Sequence, residues 1–143
     1  NNYAYYLSEK GVDLHKAESM SYKTIKAEPN NGTYLDTYAW ILFMEERYAD
    51  AKTYIDQALK NRDSTADNST VLEHAGDIYY MNGMADESVD FWKKAYTGEN
   101  QTEVLAWKIK NRQYITEEEL KKRNAPKQKP AATKKSVRKG KKK

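Results

Sequence analysis

The sequence predicts an all-α chain built from repeated helical hairpins, and three observations carry that expectation. First, small and large apolar residues recur at fixed offsets. Relative to Leu14, the positions 0, 3, 7, 10 and 11 hold Leu14, Ala17, Ser21, Thr24 and Ile25. The same offsets pick out Tyr48, Ala51, Ile55, Ala58 and Leu59, and then Ala85, Ser88, Trp92, Ala95 and Tyr96. Steps of three and four mark one face of an α-helix, on which small residues admit a neighbouring helix and large ones fill the gaps. Second, each stripe is preceded by another: Tyr3, Ala4, Leu7; Tyr38, Ala39, Leu42; Ala75, Gly76, Tyr79. Third, short polar turns separate the paired stripes, at Glu9-Lys10-Gly11, Glu45-Glu46-Arg47 and Asn82-Gly83-Met84. Each unit is thus two short antiparallel helices, and no segment has the alternation of a strand.

The units follow in order. Residues 1–31 form a first hairpin with a truncated leading helix, 32–68 a second and 69–102 a third. Ala17 to Ala51 is 34 residues and Ala51 to Ser88 is 37, the longer step being absorbed by a polar loop over Asn61 to Ser69. Over 103–123, Val104, Leu105, Trp107 and Ile109 predict a helix from Glu103 to Ile115 that covers the last apolar face. Thr116-Glu117-Glu118-Glu119 predicts a capping box opening a short polar helix through about Arg123. Residues 124–143 carry two prolines, one glycine and few apolar side chains, so they are expected to be disordered.

A helix–turn–helix unit recurring at about 34 residues resembles the tetratricopeptide-repeat (TPR) family. Ala39, Tyr48, Ala51, Ala58 and Leu59 stand where that family has its small and aromatic positions, as do Gly76, Tyr79, Gly83 and Ala95. Pro29 matches the proline that closes a repeat, whereas Asp63 and Asn100 replace it and Glu46 replaces the turn glycine. The resemblance covers roughly residues 1–102. It implies about three repeats of a right-handed helical solenoid with a C-terminal capping helix. The flavour of the repeats is that of the C-terminal portion of a bacterial-type TPR protein. The chain opens on Asn1 within a helical pattern and is read as a fragment or processed form. Its location is not specified; a bacterial envelope or cytoplasm is favoured, and a nucleus only for a eukaryotic source.

In that family the first helix of each hairpin lines the concave side. The resemblance, with helical phase, implies a peptide-binding groove of Tyr5, Asp36, Trp40, Phe43, Met44, Glu73, Asp77, Tyr80 and Met81. Its carboxylates would repel the acidic peptides bound by carboxylate-clamp TPR grooves, so a basic, neutral or hydrophobic segment is the expected ligand. The function expected is therefore a protein–protein interaction scaffold, whose partner the sequence does not identify.

Charge is split along the chain. Nine of the 25 basic residues and none of the 21 acidic ones fall in 124–143, so a body of −5 adjoins a tail of +9. Lys127, Lys129, Lys134, Lys135, Arg138, Lys139, Lys141, Lys142 and Lys143 form an electrostatic arm. An alternative reading is a nucleic-acid-associated adaptor whose arm contacts phosphates without reading sequence. The arm could also fold back onto the acidic body, or serve as a nuclear address of bipartite type with a broken first basic pair.

Catalytic chemistry is not expected. There is no Cys, which removes disulfides and thiolate chemistry. His15 lies at a polar turn and His74 early in a helix, neither with a full ligand set at metal spacing. Ser21 and Ser88 occupy packing positions, and the carboxylates are expected along helix surfaces rather than in apolar pockets. No catalytic residue, cofactor or metal is assigned. No apolar run approaches the roughly 20 residues needed to span a bilayer.

Overall fold

The computed structural model describes residues 13–63 and 67–125. Tyr5, the leading helix expected within 1–12 and the basic arm of 127–143 lie outside the described residues. Those residues are all helical, with seven α-helices and no strand: α1 (Leu14–Ala27), α2 (Gly32–Met44), α3 (Tyr48–Lys60), α4 (Ser69–Met81), α5 (Ala85–Ala95), α6 (Glu103–Asn111) and α7 (Glu117–Asn124). One 3₁₀ turn, Gly98–Asn100, joins α5 to α6.

Local chemistry sets where these helices start. Asp13, Asn31, Thr102 and Thr116 each place a side-chain oxygen on a first-turn amide that has no partner within its helix. At Thr116 the box is reciprocal, with the Glu119 carboxylate accepting from the Thr116 amide at 3.0 Å. The helix ends are equally specific. After α2, the Arg47 amide donates to the Leu42 carbonyl and the Glu46 amide to Phe43, both at 2.9 Å. After α4, Met84 bonds Tyr79 and Gly83 bonds Tyr80 in the same pattern, both at 3.0 Å. These are two Schellman closures, and each needs a left-handed residue at its pivot. Gly83 supplies it at φ +80°, whereas Glu46 is forced to φ +64°.

From α1 to α6, each helix packs on its successor. The tightest pairs are α2 with α3 and α4 with α5, so the chain is a run of antiparallel hairpins in which α2 also touches α4. The repeated offsets explain this packing. Ala17 and Ser21, Ala51 and Ile55, Ser88 and Trp92 hold the same two positions in α1, α3 and α5, and all six are 0% exposed. Gly76 shows why a small residue is required between α4 and α5. A Cβ there would lie 2.3 Å from Cδ1 of Trp92 and 3.0 Å from the Ser88 carbonyl oxygen.

α2 differs from its neighbours in being buried on nearly every side. Leu35 and Thr37 to Phe43 are all below a tenth exposed, since α1, α3 and α4 enclose the helix. Tyr79 keeps its hydroxyl satisfied: its ring lies edge-on to Phe91 and it donates to Asp56 at 2.6 Å. One boundary departs from the sequence expectation. α6 ends at Asn111, because Arg112 turns left-handed at φ 56°, and the following segment carries Tyr114 and buried Ile115 back across the hairpins.

The strained pivot yields a direct test. Glu46→Gly should raise stability by about 1 kcal/mol, the scale of the left-handed penalty for a residue with a Cβ. Equilibrium denaturation of the two chains measures it, and no gain would mean that the Glu46 backbone relaxes without strain.

Candidate functional site

Asp36, Trp40 and Phe43 recur at four and three residues on α2, and Glu73, Asp77 and Tyr80 do so on α4, so each set shares one face. The two faces meet because α2 and α4 are neighbours. The resulting surface is occupied from within the chain. α6 sends Lys108 into it, where the ammonium donates to Asp77 Oδ1 at 2.7 Å and Glu73 Oε2 at 2.9 Å. Trp92 Nε1 donates to the same Asp77 oxygen at 2.9 Å, and Asn100 Nδ2 to Glu73 Oε1 at 3.1 Å. Lys108 Nζ also lies 5.5 Å from the ring centroids of Trp92 and Tyr114. Tyr114 in turn meets Phe43 edge-on at 5.6 Å.

A second pair adjoins the first. His74 Nδ1 is 2.9 Å from Asp36 Oδ1, and its ring stacks on Trp40 at 4.1 Å; Trp40 stacks on Phe43 at 4.6 Å. Three carboxylates, one ammonium and one imidazole therefore share a largely dry interface between successive hairpins. Burial opposes the imidazolium of His74, but Asp36, with Asp77 and Glu73 behind it, holds its pKa above the ordinary value. Burial likewise opposes the Lys108 ammonium, and Asp77 and Glu73 outweigh it, so Lys108 stays protonated. For Asp77, burial raises the carboxyl above its usual range even though Lys108 pulls it back. The arrangement can hold charge and rigidity.

Several expectations change here. Trp40, Phe43 and Asp77 are expected on an open groove; they are 8%, 6% and 3% exposed, with His74 stacked on Trp40, Tyr114 edge-on to Phe43 and Lys108 of α6 bonded to Asp77. Asp36, Met44, Glu73 and Tyr80 are half-buried, with Met44 packed against the core and Tyr80 tilted on Trp92 at 6.0 Å. Among the described members of the group Met81 alone is exposed, at 37%. Asp77 also overturns the expectation that no carboxylate sits in an apolar pocket. His74 is buried, its ring stacked on Trp40. Its partner is Asp36 from the preceding hairpin rather than Asp77, three residues along its own helix. Lys108 was missed, although a signal existed: it stands three residues after fully buried Leu105, on the inward stripe of α6.

The open concavity lies beside this network, toward the N-terminal ends of α2 and α4. It is a cleft of about 620 Å³ lined by Asn31, Thr33, Asp36 and Thr37 from one side and Asp67, Asn68, Thr70 and Val71 from the other. The end of α3 closes it with Asn61, Arg62 and Asp63. Three carboxylates against one guanidinium make the lining acidic. Apart from it, His15, Glu18 and Glu45 bring potential metal ligands together, although sequence spacing gave His15 no such set.

Fold and site thus define an all-α chain of stacked hairpins with an internal charge network and an open acidic cleft. No protein-family model matches the chain, and comparison with curated proteins finds no match either. Among the described residues no helix is long and apolar enough to cross a membrane.

Two measurements test the network. Lys108→Met should destabilise by about 3–5 kcal/mol by leaving a buried carboxylate uncompensated. Adding Asp77→Asn, which keeps an acceptor for Trp92, should recover part of it, with a coupling of about 0.5–3 kcal/mol. Strict additivity in denaturation would dismiss the pairing. For His74, a folded pKa above the unfolded value of about 6.5 stabilises the fold fully below that pH. That contribution is lost as pH rises through the folded value. Asp36→Asn should lower the His74 midpoint read from imidazole proton shifts; an unmoved midpoint would show that Asp36 is not its cause.

Proposed function

We propose that this chain is a TPR-type solenoid segment acting as a protein-interaction scaffold that holds an extended segment of a partner protein. The observation that carries this reading is the cleft between the first helices of two successive hairpins. Its walls are helices locked by the Asp36–His74 and Lys108–Asp77 contacts, so the geometry exists before a ligand arrives. A preformed site lowers the ordering cost of binding. The buried small residues at the same offsets of α1, α3 and α5 support the repeat reading on which the proposal rests.

The binding surface proposed here is shifted from the one helical phase suggested. Trp40, Phe43 and Asp77 are taken up by contacts within the chain, and Asp36 is the member of that group that also lines the cleft. Asp36, Asp63 and Asp67 favour a neutral or basic segment over an acidic one. Binding needs no reaction at the site, and the proposed activity is recognition rather than catalysis.

Thr33 of α2 and Thr70 of α4 both line the cleft and are exposed. Selection of random peptides against the full chain should enrich basic or neutral sequences. Thr33→Arg with Thr70→Arg should weaken the selected peptides by about tenfold or more, the effect of like charge and bulk in one site, without lowering the melting temperature. Removing residues 126–143 should leave that affinity unchanged. Retained binding in the double variant would place the ligand elsewhere, and loss on truncation would transfer the activity to the basic arm.

A further inference from the structure

The turn between α2 and α3 brings Glu45 against the first turn of α1. His15 and Glu18 are three residues apart there and share a face. One potential ligand atom of each of these three residues lies within 4.8 Å of the others. The cluster is more than an acidic patch, because its deepest member is both buried and short of a donor. The Glu45 side chain is 11% exposed, and its Oε2 is buried with no hydrogen-bond partner. Leaving a carboxylate oxygen in that condition beside a second carboxylate is unfavourable.

Arg47 compensates only the outer side. Its Nη1 reaches Glu18 Oε2 at 3.0 Å and Glu45 Oε1 at 3.5 Å, while Nη2 is held by Asp50 at 3.0 Å. That leaves Glu45 Oε2 buried without a donor. Together the three side chains offer a small dication one nitrogen and two oxygen donors, all within 4.8 Å of one another.

We propose that His15, Glu18 and Glu45 form a divalent-cation site of the zinc class, joining α1 to the α2–α3 turn. The donor set decides the class. Imidazole suits zinc and its neighbours, while magnesium and calcium favour all-oxygen shells. Zinc takes nitrogen and carboxylate donors at about 2.0–2.2 Å, so the three side chains close inward from their present separation. Three protein ligands leave a fourth tetrahedral position for water. Arg47 then stays on the outer carboxylate oxygens and orients both ligands, as second-shell partners do in metal sites. The consequence is a cross-link between α1 and the second hairpin, in addition to the apolar contacts of Ala17 and Ile41. This site is independent of the cleft and of the scaffold reading.

Titration calorimetry of zinc chloride into the metal-free full chain near neutral pH tests the proposal. One ion should bind per chain and raise the melting temperature. His15→Ala and Glu45→Gln should each weaken binding by at least the 10–100-fold that loss of an outer-shell partner brings, with helicity by circular dichroism unchanged. Cobalt(II) gives a readout that needs no variant, since four-coordinate binding produces intense visible bands. No zinc binding by the parent chain, zinc affinity unchanged in both variants, or a cobalt spectrum like that of the hydrated ion would each overturn the site.

Discussion

The contact on which this arrangement most depends is Lys108 between Glu73 and Asp77. It is a cation 3% exposed at its side chain, brought from α6 to a carboxylate that is itself 5% exposed. An isolated charge in that position would be strongly unfavourable, and two charges at 2.7 Å offset one another only if the remaining lone pairs are also satisfied. Here they are largely met from within the chain, because Trp92 donates to Asp77 and Asn100 to Glu73. The result ties α4, α5 and α6 into one unit with fixed register. A purely apolar interface would tolerate sliding that this hydrogen-bonded one does not.

The network also separates structural from recognisable surface. Carboxylates that could have met a partner on α4 are neutralised by a lysine from the same chain, so the stripe of α2 and α4 nearest α6 is closed. The cleft nearest the loops stays open, lined by Asp36, Asp63 and Asp67. Asp36 belongs to both regions, holding His74 with one oxygen while its residue lines the cleft. A ligand that drew on Asp36 would therefore also act on the protonation of a buried imidazole. Closed and open halves of one helix face differ only in what the C-terminal segment reaches.

Some of this was legible from residue order. Ala17, Ala51 and Ser88, with Ser21, Ile55 and Trp92 four residues later, are inward because a helix of 3.6 residues per turn can bury only one stripe. The turns at Glu45–Arg47 and Asn82–Met84 were visible as polar breaks, and the Thr116 capping box as a local four-residue pattern. The end of α6 was not legible. Val104, Leu105, Trp107 and Ile109 continue a helical period toward Ile115, and nothing in that period indicates that Arg112 would turn left-handed. The burial of Trp40 and Phe43 was not legible either, because an aromatic residue off the repeat stripe suits a groove or an interface equally well.

What the sequence by itself determined are the local and periodic features: all-helical hairpins, their turns, the caps and the inward small residues. Each follows from interactions spanning a few positions, which composition and spacing encode directly. Only the tertiary structure decided which charges met. Asp36 with His74 spans 38 residues, Lys108 with Asp77 spans 31, and Arg47 with Glu18 spans 29. The His15, Glu18 and Glu45 cluster likewise unites α1 with a turn in the next hairpin. Such pairings depend on how one helix is rotated and set against another. A residue's own neighbours in sequence do not carry that information, so a carboxylate on a helix face reads the same whether water, a partner or a buried lysine finally meets it.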